Sequence, residues 1–267
     1  MTVAVVTGGG NGIGRAICRR LHRDGMTVVV ADLEEEAANI VADEIGGIAW
    51  ALDVGDELAV VAMVDEVERA HGPIDLFVSN AGVAFGDGES GAISAEGGLR
   101  PIADRWTASW NVNVMAHIYA ARAAVPRMLE RGGGRLINIA SAAGLLSQIG
   151  DAAYAVTKHA AVGFAEALAI DYGDRGIRVS VVCPQAVATR LISGDGESDA
   201  PQGGFAAAVV DGILSPDEVA DAIIDGANEG RFLILTHPQV TTYMQRKTAD
   251  YDRWISGMQR FRQKVLP

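Results

Sequence analysis

The sequence is poor in cysteine, and this shortage excludes two classes of protein. Only Cys18 and Cys183 occur in 267 residues, too few for the disulfide framework that stabilises small secreted domains. Neither cysteine belongs to a C-x-x-C pair, and no histidine has ligand spacing, so no metal site is predicted. This usage favours two buried thiols in a reducing compartment.

Basic residues and long apolar runs are scarce too. The chain has 22 Lys and Arg against 34 Asp and Glu, a formal net charge of −12, which argues against a nucleic-acid partner because phosphate neutralisation requires basic clusters. No apolar run approaches the ~18 residues of a membrane-spanning helix. Residues 1–6 enter a glycine-rich turn with no basic segment before them, so a cytoplasmic location is expected.

The sequence does contain an alternation of short β-branched runs and longer helical stretches. Strands are predicted at residues 3–7, 27–31, 47–52, 74–79, 134–140, 178–182 and 232–235. Helices are predicted at residues 13–24, 34–45, 56–71, 104–131, 152–172 and 216–228. Strands that alternate with helices indicate a parallel sheet, and their apolar character indicates cover on both faces. The prediction is a single α/β domain over residues 1–267, a Rossmann fold with a doubly wound seven-stranded parallel sheet flanked by helices.

A glycine-rich turn joins the first strand to the first helix. Its spacing is G-x-x-x-G-x-G, with Gly8, Gly12 and Gly14, rather than G-x-G-x-x-G. Glycine lets the backbone approach a ligand closely, and a helix N-terminus attracts a pyrophosphate. The alternative is a tight turn with no ligand, and the strand-turn-helix context favours a dinucleotide site.

Asp32 ends the second predicted strand, 18 residues after Gly14. An acid about 20 residues beyond such a turn binds the adenosine ribose hydroxyls of NAD and repels the 2′-phosphate of NADP. No basic residue stands at Leu33 to receive that phosphate, so NAD is the predicted cofactor. The alternative for Asp32 is a helix N-cap.

Tyr154 and Lys158 have the i, i+4 spacing that places two side chains on one face of a helix. A nearby ammonium group is expected to lower the pKa of the tyrosine toward that of a usable base. Alone, the pair could be a surface pair. Ser141 closes a predicted strand at the sheet edge where ligands bind in doubly wound folds, which favours a catalytic set.

These motifs together resemble the short-chain dehydrogenase/reductase family, in family order and over nearly the whole chain. The matching features are Thr7-Gly-x-x-x-Gly-x-Gly14, Asp53-Val54, Asn80-Ala81-Gly82, Asn113, Ser141, Tyr154-x-x-x-Lys158, and a segment from Pro184 to Thr189. The resemblance implies an NAD-dependent oxidoreductase that interconverts a secondary alcohol and a ketone.

The resemblance also implies a role for each matching position. Tyr154 would be the general acid/base, Lys158 would lower its pKa and hold the nicotinamide ribose, and Ser141 would bind the substrate oxygen. Asn113 would hold a water that links Lys158 to solvent. The implied cofactor-binding set is Gly8, Asn11, Gly12, Ile13, Gly14, Asp32, Asp53, Val54, Asn80, Ala81, Gly82, Tyr154, Lys158, Pro184, Val187 and Thr189.

Gln185 departs from the family pattern, which usually has glycine after this proline. Its amide would lie beside the nicotinamide or the substrate, or it would turn away as a tolerated exchange. It is included in the predicted substrate set with Ser141 and Tyr154.

Three segments stand outside the regular alternation. Residues 84–99 are predicted to be an inserted surface loop, and residues 188–215 a substrate lid whose apolar flanks suit a hydrophobic substrate. Residues 241–267 carry an amphipathic pattern that predicts one C-terminal helix. That helix could cover the core, wall the active site, contact a sister subunit or lie on a membrane surface. The family resemblance favours the active-site and subunit contacts, and implies a homotetramer or a dimer.

Two other functions remain open at this point. One is a catalytically idle NAD-binding regulator that senses redox state, although Ser141, Tyr154 and Lys158 are all present. The other is a sugar-nucleotide epimerase, which can share the tyrosine–lysine pair but usually has a different glycine spacing and a larger substrate domain. The substrate itself is not identified by these patterns.

Overall fold

The computed structural model describes residues 2–85, 102–190 and 211–265. Residues 86–99 of the predicted inserted loop and residues 191–210 of the predicted lid lie outside the described residues.

One parallel sheet of seven strands organises the described part of the chain, in the order β3-β2-β1-β4-β5-β6-β7. The strands are β1 (Val3–Thr7), β2 (Thr27–Asp32), β3 (Ile48–Ala51), β4 (Ile74–Ser79), β5 (Gly134–Ile139), β6 (Ile177–Val182) and β7 (Leu233–Ile234). The order reverses between β1 and β4, and a crevice opens there at the carboxyl ends of the strands. The predicted Rossmann fold is confirmed.

Helices cover both faces of the sheet. They are α1 (Gly12–Arg23), α2 (Glu35–Ile45), α3 (Glu57–His71), α4 (Ile102–Trp110), α5 (Ala116–Glu130), α6 (Ala152–Tyr172), α7 (Pro216–Asn228), α8 (Gln239–Ala249) and α9 (Tyr251–Val265). Helices α1, α2 and α7 pack on one face, and α3, α5 and α6 on the other. The strands are mostly apolar because both faces of the sheet are covered, as the sequence predicted, and β3 at the sheet edge is only partly buried.

Two predicted helices need correction. The helix predicted over residues 104–131 is interrupted by a π-helical turn at Asn111–Met115, which includes the family-motif residue Asn113. The single C-terminal helix is two helices, because Asp250 takes an extended conformation and its Oδ1 accepts a hydrogen bond of 2.9 Å from the Arg253 N–H. Asp favours this N-cap position, so it starts a new helix there. Within the described ranges, no helix has the length and apolar content needed to cross a membrane.

Candidate active site

The glycine-rich turn packs directly on the start of α1. Gly12 has a φ of +50°, and a Cβ atom on Gly14 would lie 2.0 Å from the main-chain oxygen of Gly8. No side chain fits between turn and helix. Asn11, at the N-cap, makes no side-chain cap hydrogen bond, and the first turn of α1 contains no acid. The N-terminal N–H groups of α1 are therefore suited to an anionic ligand.

Asp32 lies at the carboxyl end of β2, beside this turn. Its Oδ2 accepts a hydrogen bond of 2.9 Å from the Gly10 N–H, and its Oδ1 accepts one of 3.1 Å from the Glu34 N–H. The helix N-cap alternative for Asp32 is wrong, because α2 begins at Glu35 and Glu34 occupies the cap position. Leu33 projects from the same edge with 72% of its surface exposed.

A cavity of about 710 Å³ runs along the carboxyl edge of the sheet, from Asp32 to Tyr154. Most of the residues predicted from the sequence line it: Gly8, Asn11, Gly12, Ile13, Asp32, Asp53, Val54, Asn80, Ala81, Gly82, Ser141, Tyr154, Lys158, Pro184, Gln185, Val187 and Thr189. Two predicted residues do not line it. Gly14 lies behind the turn, and Asn113 lies behind the cavity wall.

Asn80 ties the end of β4 to the glycine-rich turn. Its Nδ2 donates hydrogen bonds to the main-chain oxygens of Thr7 and Gly8, at 2.9 and 3.0 Å. The Thr7 hydroxyl in turn accepts the N–H groups of Asn80 and Ala81. The side chain of Asn80 therefore fixes the turn.

Ser141 follows β5 and begins a single 3₁₀ turn, Ala142–Gly144. Its Oγ accepts the Ala143 N–H at 3.1 Å and lies 3.5 Å from the main-chain oxygen of Pro184, to which it can donate. The hydroxyl is thereby held between the loops that follow β5 and β6. It lines the cavity beside Tyr154, so it can donate a hydrogen bond to an oxygen bound there.

Tyr154 lies in the first turn of α6 with 6% of its surface exposed. Burial raises the pKa of its phenol to about 12, and the hydrogen bond with Ser141 acts in the opposite direction. The sequence predicted a lowered pKa for Tyr154. In the protein with no ligand bound the pKa is raised instead, so the predicted direction is wrong. The reason is that burial disfavours the charged phenolate more than the hydrogen bond with Ser141 stabilises it.

Lys158 is buried one helical turn after Tyr154, with 3% of its surface exposed. Its Nζ donates a hydrogen bond of 3.1 Å to the main-chain oxygen of Ile139 and lies 5.7 Å from the centroid of the Tyr154 ring. Burial lowers the pKa of Lys158 to about 8. The ammonium is thus held where it can act on the phenol and on a ligand in the cavity.

Asn113 is fully buried and faces the loop after β4. Its Oδ1 accepts the Val83 N–H at 2.9 Å, while its Nδ2 donates to the Val83 oxygen at 2.9 Å and to the Thr157 Oγ1 at 3.1 Å. The side chain therefore joins that loop to α6. A Cβ atom on Gly82 would lie 3.3 Å from both the Asn113 Oδ1 and the Lys158 Nζ. The absence of a side chain at Gly82 therefore lets the loop pass close to the lysine.

Gln185 lines the cavity and is also held by a neighbour. Its Nε2 donates a hydrogen bond of 3.0 Å to the Asp211 Oδ2, and the Tyr243 hydroxyl donates one of 2.9 Å to the Asp211 Oδ1. Asp211 and Tyr243 were not among the site residues predicted from the sequence, because only the fold brings residues 185, 211 and 243 together.

The C-terminal helices form one wall of the cavity. Tyr243 and Arg246 come from α8, and Trp254, Met258 and Phe261 come from α9. The Lys247 Nζ anchors α8 by donating to the main-chain oxygens of Leu145 and Leu146, at 2.8 and 2.9 Å. Of the roles considered for this tail, the structure supports the active-site wall. The apolar periodicity indicated a buried face but not what that face covers.

The arrangement of sheet, glycine-rich turn and serine–tyrosine–lysine set is that of a dinucleotide-dependent oxidoreductase. Residues 2–199 match the family model for short chain dehydrogenases, and the chain belongs to that family. It is therefore an enzyme that acts on CH–OH groups.

Curated relatives agree with this family assignment. The chain is 35% identical over 195 residues to meso-2,3-butanediol dehydrogenase of Serratia marcescens, covering 72% of this chain and 74% of that protein. It is 34% identical over 259 residues to 1-deoxy-11-beta-hydroxypentalenate dehydrogenase of Streptomyces exfoliatus, covering 95% and 89%. A crystal structure of a short chain dehydrogenase/reductase from Burkholderia phymatum in complex with NAD is 30% identical, with a TM-score of 0.81 over 94% of each chain.

Proposed function

We propose that this protein is an NAD-dependent dehydrogenase that interconverts a hydrophobic secondary alcohol and its ketone. The observation that carries the proposal is the shared cavity: Ser141, Tyr154 and Lys158 lie together along it, and Asp32 lies at its other end. The serine–tyrosine–lysine set can bind an alcohol oxygen, and the Asp32 carboxylate can accept hydrogen bonds from a ribose diol.

The residues fit a nicotinamide dinucleotide on two structural grounds. The first turn of α1 offers N–H groups with no acid among them, which suits a pyrophosphate. The Asp32 carboxylate accepts hydrogen bonds, and neighbouring Leu33 offers no positive charge, which favours NAD over NADP. When bound, the cofactor supplies the acceptor or donor of hydride.

The proton chemistry belongs to Tyr154. In alcohol oxidation its Oη takes the hydroxyl proton, and in ketone reduction it returns a proton to the carbonyl oxygen. Lys158, whose Nζ lies 5.7 Å from the centroid of the Tyr154 ring, stabilises the phenolate by its charge. Ser141 donates a hydrogen bond to the substrate oxygen and stabilises the charge that develops there.

The substrate class follows from apolar side chains that line the cavity outside the proposed cofactor-binding set. They include Leu146, Ile149, Trp254, Met258 and Phe261. Such a surface favours a hydrophobic alcohol over a free sugar. The names of the two relatives described above, which refer to a butanediol and a hydroxypentalenate, support a small hydroxylated carbon skeleton.

We also propose a homo-oligomer in the cytoplasm. Trp110 at the end of α4 is 42% exposed, and Val156 and Ile170 of α6 are 47% and 79% exposed. Apolar side chains exposed on two adjacent helices support a subunit interface. Light scattering of the purified protein would give the mass, and a monomer at micromolar concentration would oppose this proposal.

The function is tested by incubating the protein with NAD and a panel of apolar secondary alcohols, and following the absorbance of reduced cofactor. We expect turnover with the parent and a loss of about 10²- to 10⁴-fold with Tyr154→Phe, at unchanged NAD affinity. Tyr119→Phe, a half-buried tyrosine on α5, is the control and should retain activity. NAD binding without turnover would favour the regulator, and inversion of a sugar nucleotide would favour the epimerase.

A further inference from the structure

Asp151 is a buried acid that contacts two parts of the active site at once. It precedes α6, and only 5% of its surface is exposed. Its Oδ1 accepts a hydrogen bond of 2.9 Å from the N–H of Tyr154, and its Oδ2 accepts one of 3.0 Å from the N–H of Phe85. The first bond fixes the turn that carries the acid/base, and the second fixes the loop that follows β4.

A helix cap alone does not require this arrangement. Asp56 caps α3 in the ordinary way: it is exposed, and its Oδ1 accepts the N–H groups of Leu58 and Ala59 in the same helix. Asp151, in contrast, is buried and reaches a residue 66 positions away. Burying a carboxylate is costly unless charge-assisted hydrogen bonds compensate it, and the N–H groups of Tyr154 and Phe85 supply two such bonds.

The charge of Asp151 acts on Tyr154. Burial is the largest cause of the raised pKa of the phenol, the Ser141 hydrogen bond lowers it, and the charges of Asp151 and of Cys183 after β6 raise it further. Among the described residues, other charged side chains also face this region: Lys158, one turn along α6; Arg105 of α4, whose guanidinium carbon lies 5.5 Å from the centroid of the Phe85 ring; and Asp211 and Arg246 of the cavity lining. Asp151 therefore opposes Lys158 and favours the protonated phenol.

We propose that Asp151 is a positioning residue that fixes Tyr154 against the loop after β4, and that its charge favours the protonated form of the Tyr154 phenol. The proposal rests on the proposed function, since it presumes that Tyr154 is the acid/base. It adds a residue that the serine–tyrosine–lysine set does not include.

Asp151→Asn separates the charge from the cap. Asn is as good an N-cap as Asp, so its oxygen can still accept the Tyr154 N–H, while its amide nitrogen cannot accept the Phe85 N–H. Because the lost charge raised the pKa of Tyr154, we expect the high-pH limb of kcat/KM for ketone reduction to move down by roughly one pH unit. We also expect KM for the ketone to rise, because the loop is released.

Asp56→Asn is the matched control, since it makes the same exchange at an exposed cap that does not line the cavity. It should leave the pH profile and KM unchanged, and it should lose less thermal stability than Asp151→Asn, which leaves the Phe85 N–H without its acceptor. An unshifted profile in Asp151→Asn, or an equal shift in Asp56→Asn, would overturn the proposal.

A second measurement does not depend on turnover. Ultraviolet titration of tyrosinate, taken as the difference between each protein and its Tyr154→Phe counterpart, follows the Tyr154 phenol alone. It should ionise at lower pH in Asp151→Asn than in the parent, and an unchanged titration would contradict the proposed effect of the charge. If Tyr154→Phe stays active the proposed function fails, whereas this titration still reports on Asp151.

Discussion

The Lys158 Nζ lies 5.7 Å from the centroid of the Tyr154 ring while donating a hydrogen bond to the Ile139 carbonyl. Helix α6 provides the i, i+4 spacing of the two side chains, and strand β5 provides the acceptor that fixes the ammonium group. The pair is therefore defined by a helix and a strand together. Both groups are buried, so neither has its ordinary pKa: that of Tyr154 is raised to about 12 and that of Lys158 is lowered to about 8.

Lys158→Met should move the acid/base limb of the pH–rate profile upward. Removing a positive charge near a phenolate disfavours the phenolate, so the pKa of Tyr154 rises and oxidation requires a higher pH. At neutral pH we expect a loss of about 10²-fold or more in kcat/KM for the alcohol. Lys264→Met, an exposed lysine of α9, is the control. If the limb of the pH–rate profile stays at its parental pH in Lys158→Met, Lys158 does not lower the pKa of Tyr154.

The sequence predicted those parts of the fold and site that follow from local pattern. The buried strands, the turn at Gly12 and the spacing of Tyr154 and Lys158 are local features, and a parallel sheet brings the ends of its strands to one edge. The raised pKa of Tyr154 could not be predicted, because the burial of this side chain depends on packing by distant segments of the chain. The link between Asp211 and Tyr243 joins residues 32 positions apart and has no local signature.

Asp32→Ala together with Leu33→Arg should change the cofactor preference. The substitutions remove the acceptor that suits the ribose diol and place a cation where a 2′-phosphate would lie. We expect kcat/KM with NAD to fall on the order of 10- to 100-fold, in line with a lost charged hydrogen bond. The ratio of kcat/KM for NAD and NADP measures the effect. A parent that already prefers NADP would contradict the assignment.

Gln185→Gly should change selectivity among substrates more than stability. The amide lines the cavity, and its orientation is set by Asp211, which can only accept a hydrogen bond. We expect KM values to change unequally across a series of alcohols, while NAD affinity stays near the parental value. Tyr243→Phe removes one bond to Asp211 but leaves the glutamine bond, so it should have a smaller effect. Unchanged selectivity with a lower melting temperature would favour a purely structural role.

Phe261→Ala tests whether α9 binds the substrate. Phe261 lines the cavity, whereas Ile255 on the same helix is 50% exposed and does not line it. If the Phe261 ring packs on an apolar substrate, its loss removes about 1.5–3 kcal/mol of burial, which is roughly 10- to 100-fold in kcat/KM.

Phe261 is not in the proposed cofactor-binding set, so the Kd for NAD should be unchanged by Phe261→Ala. Ile255→Ala makes a similar truncation on the outer side of α9. It should leave kcat/KM and the Kd for NAD near their parental values. Circular dichroism melting of the two variants separates substrate contact from helix docking. Equal losses of activity in both variants, with equal losses of stability, would mean that α9 supports the fold without touching the substrate. A loss confined to Phe261→Ala would make this wall a determinant of which alcohols the enzyme accepts.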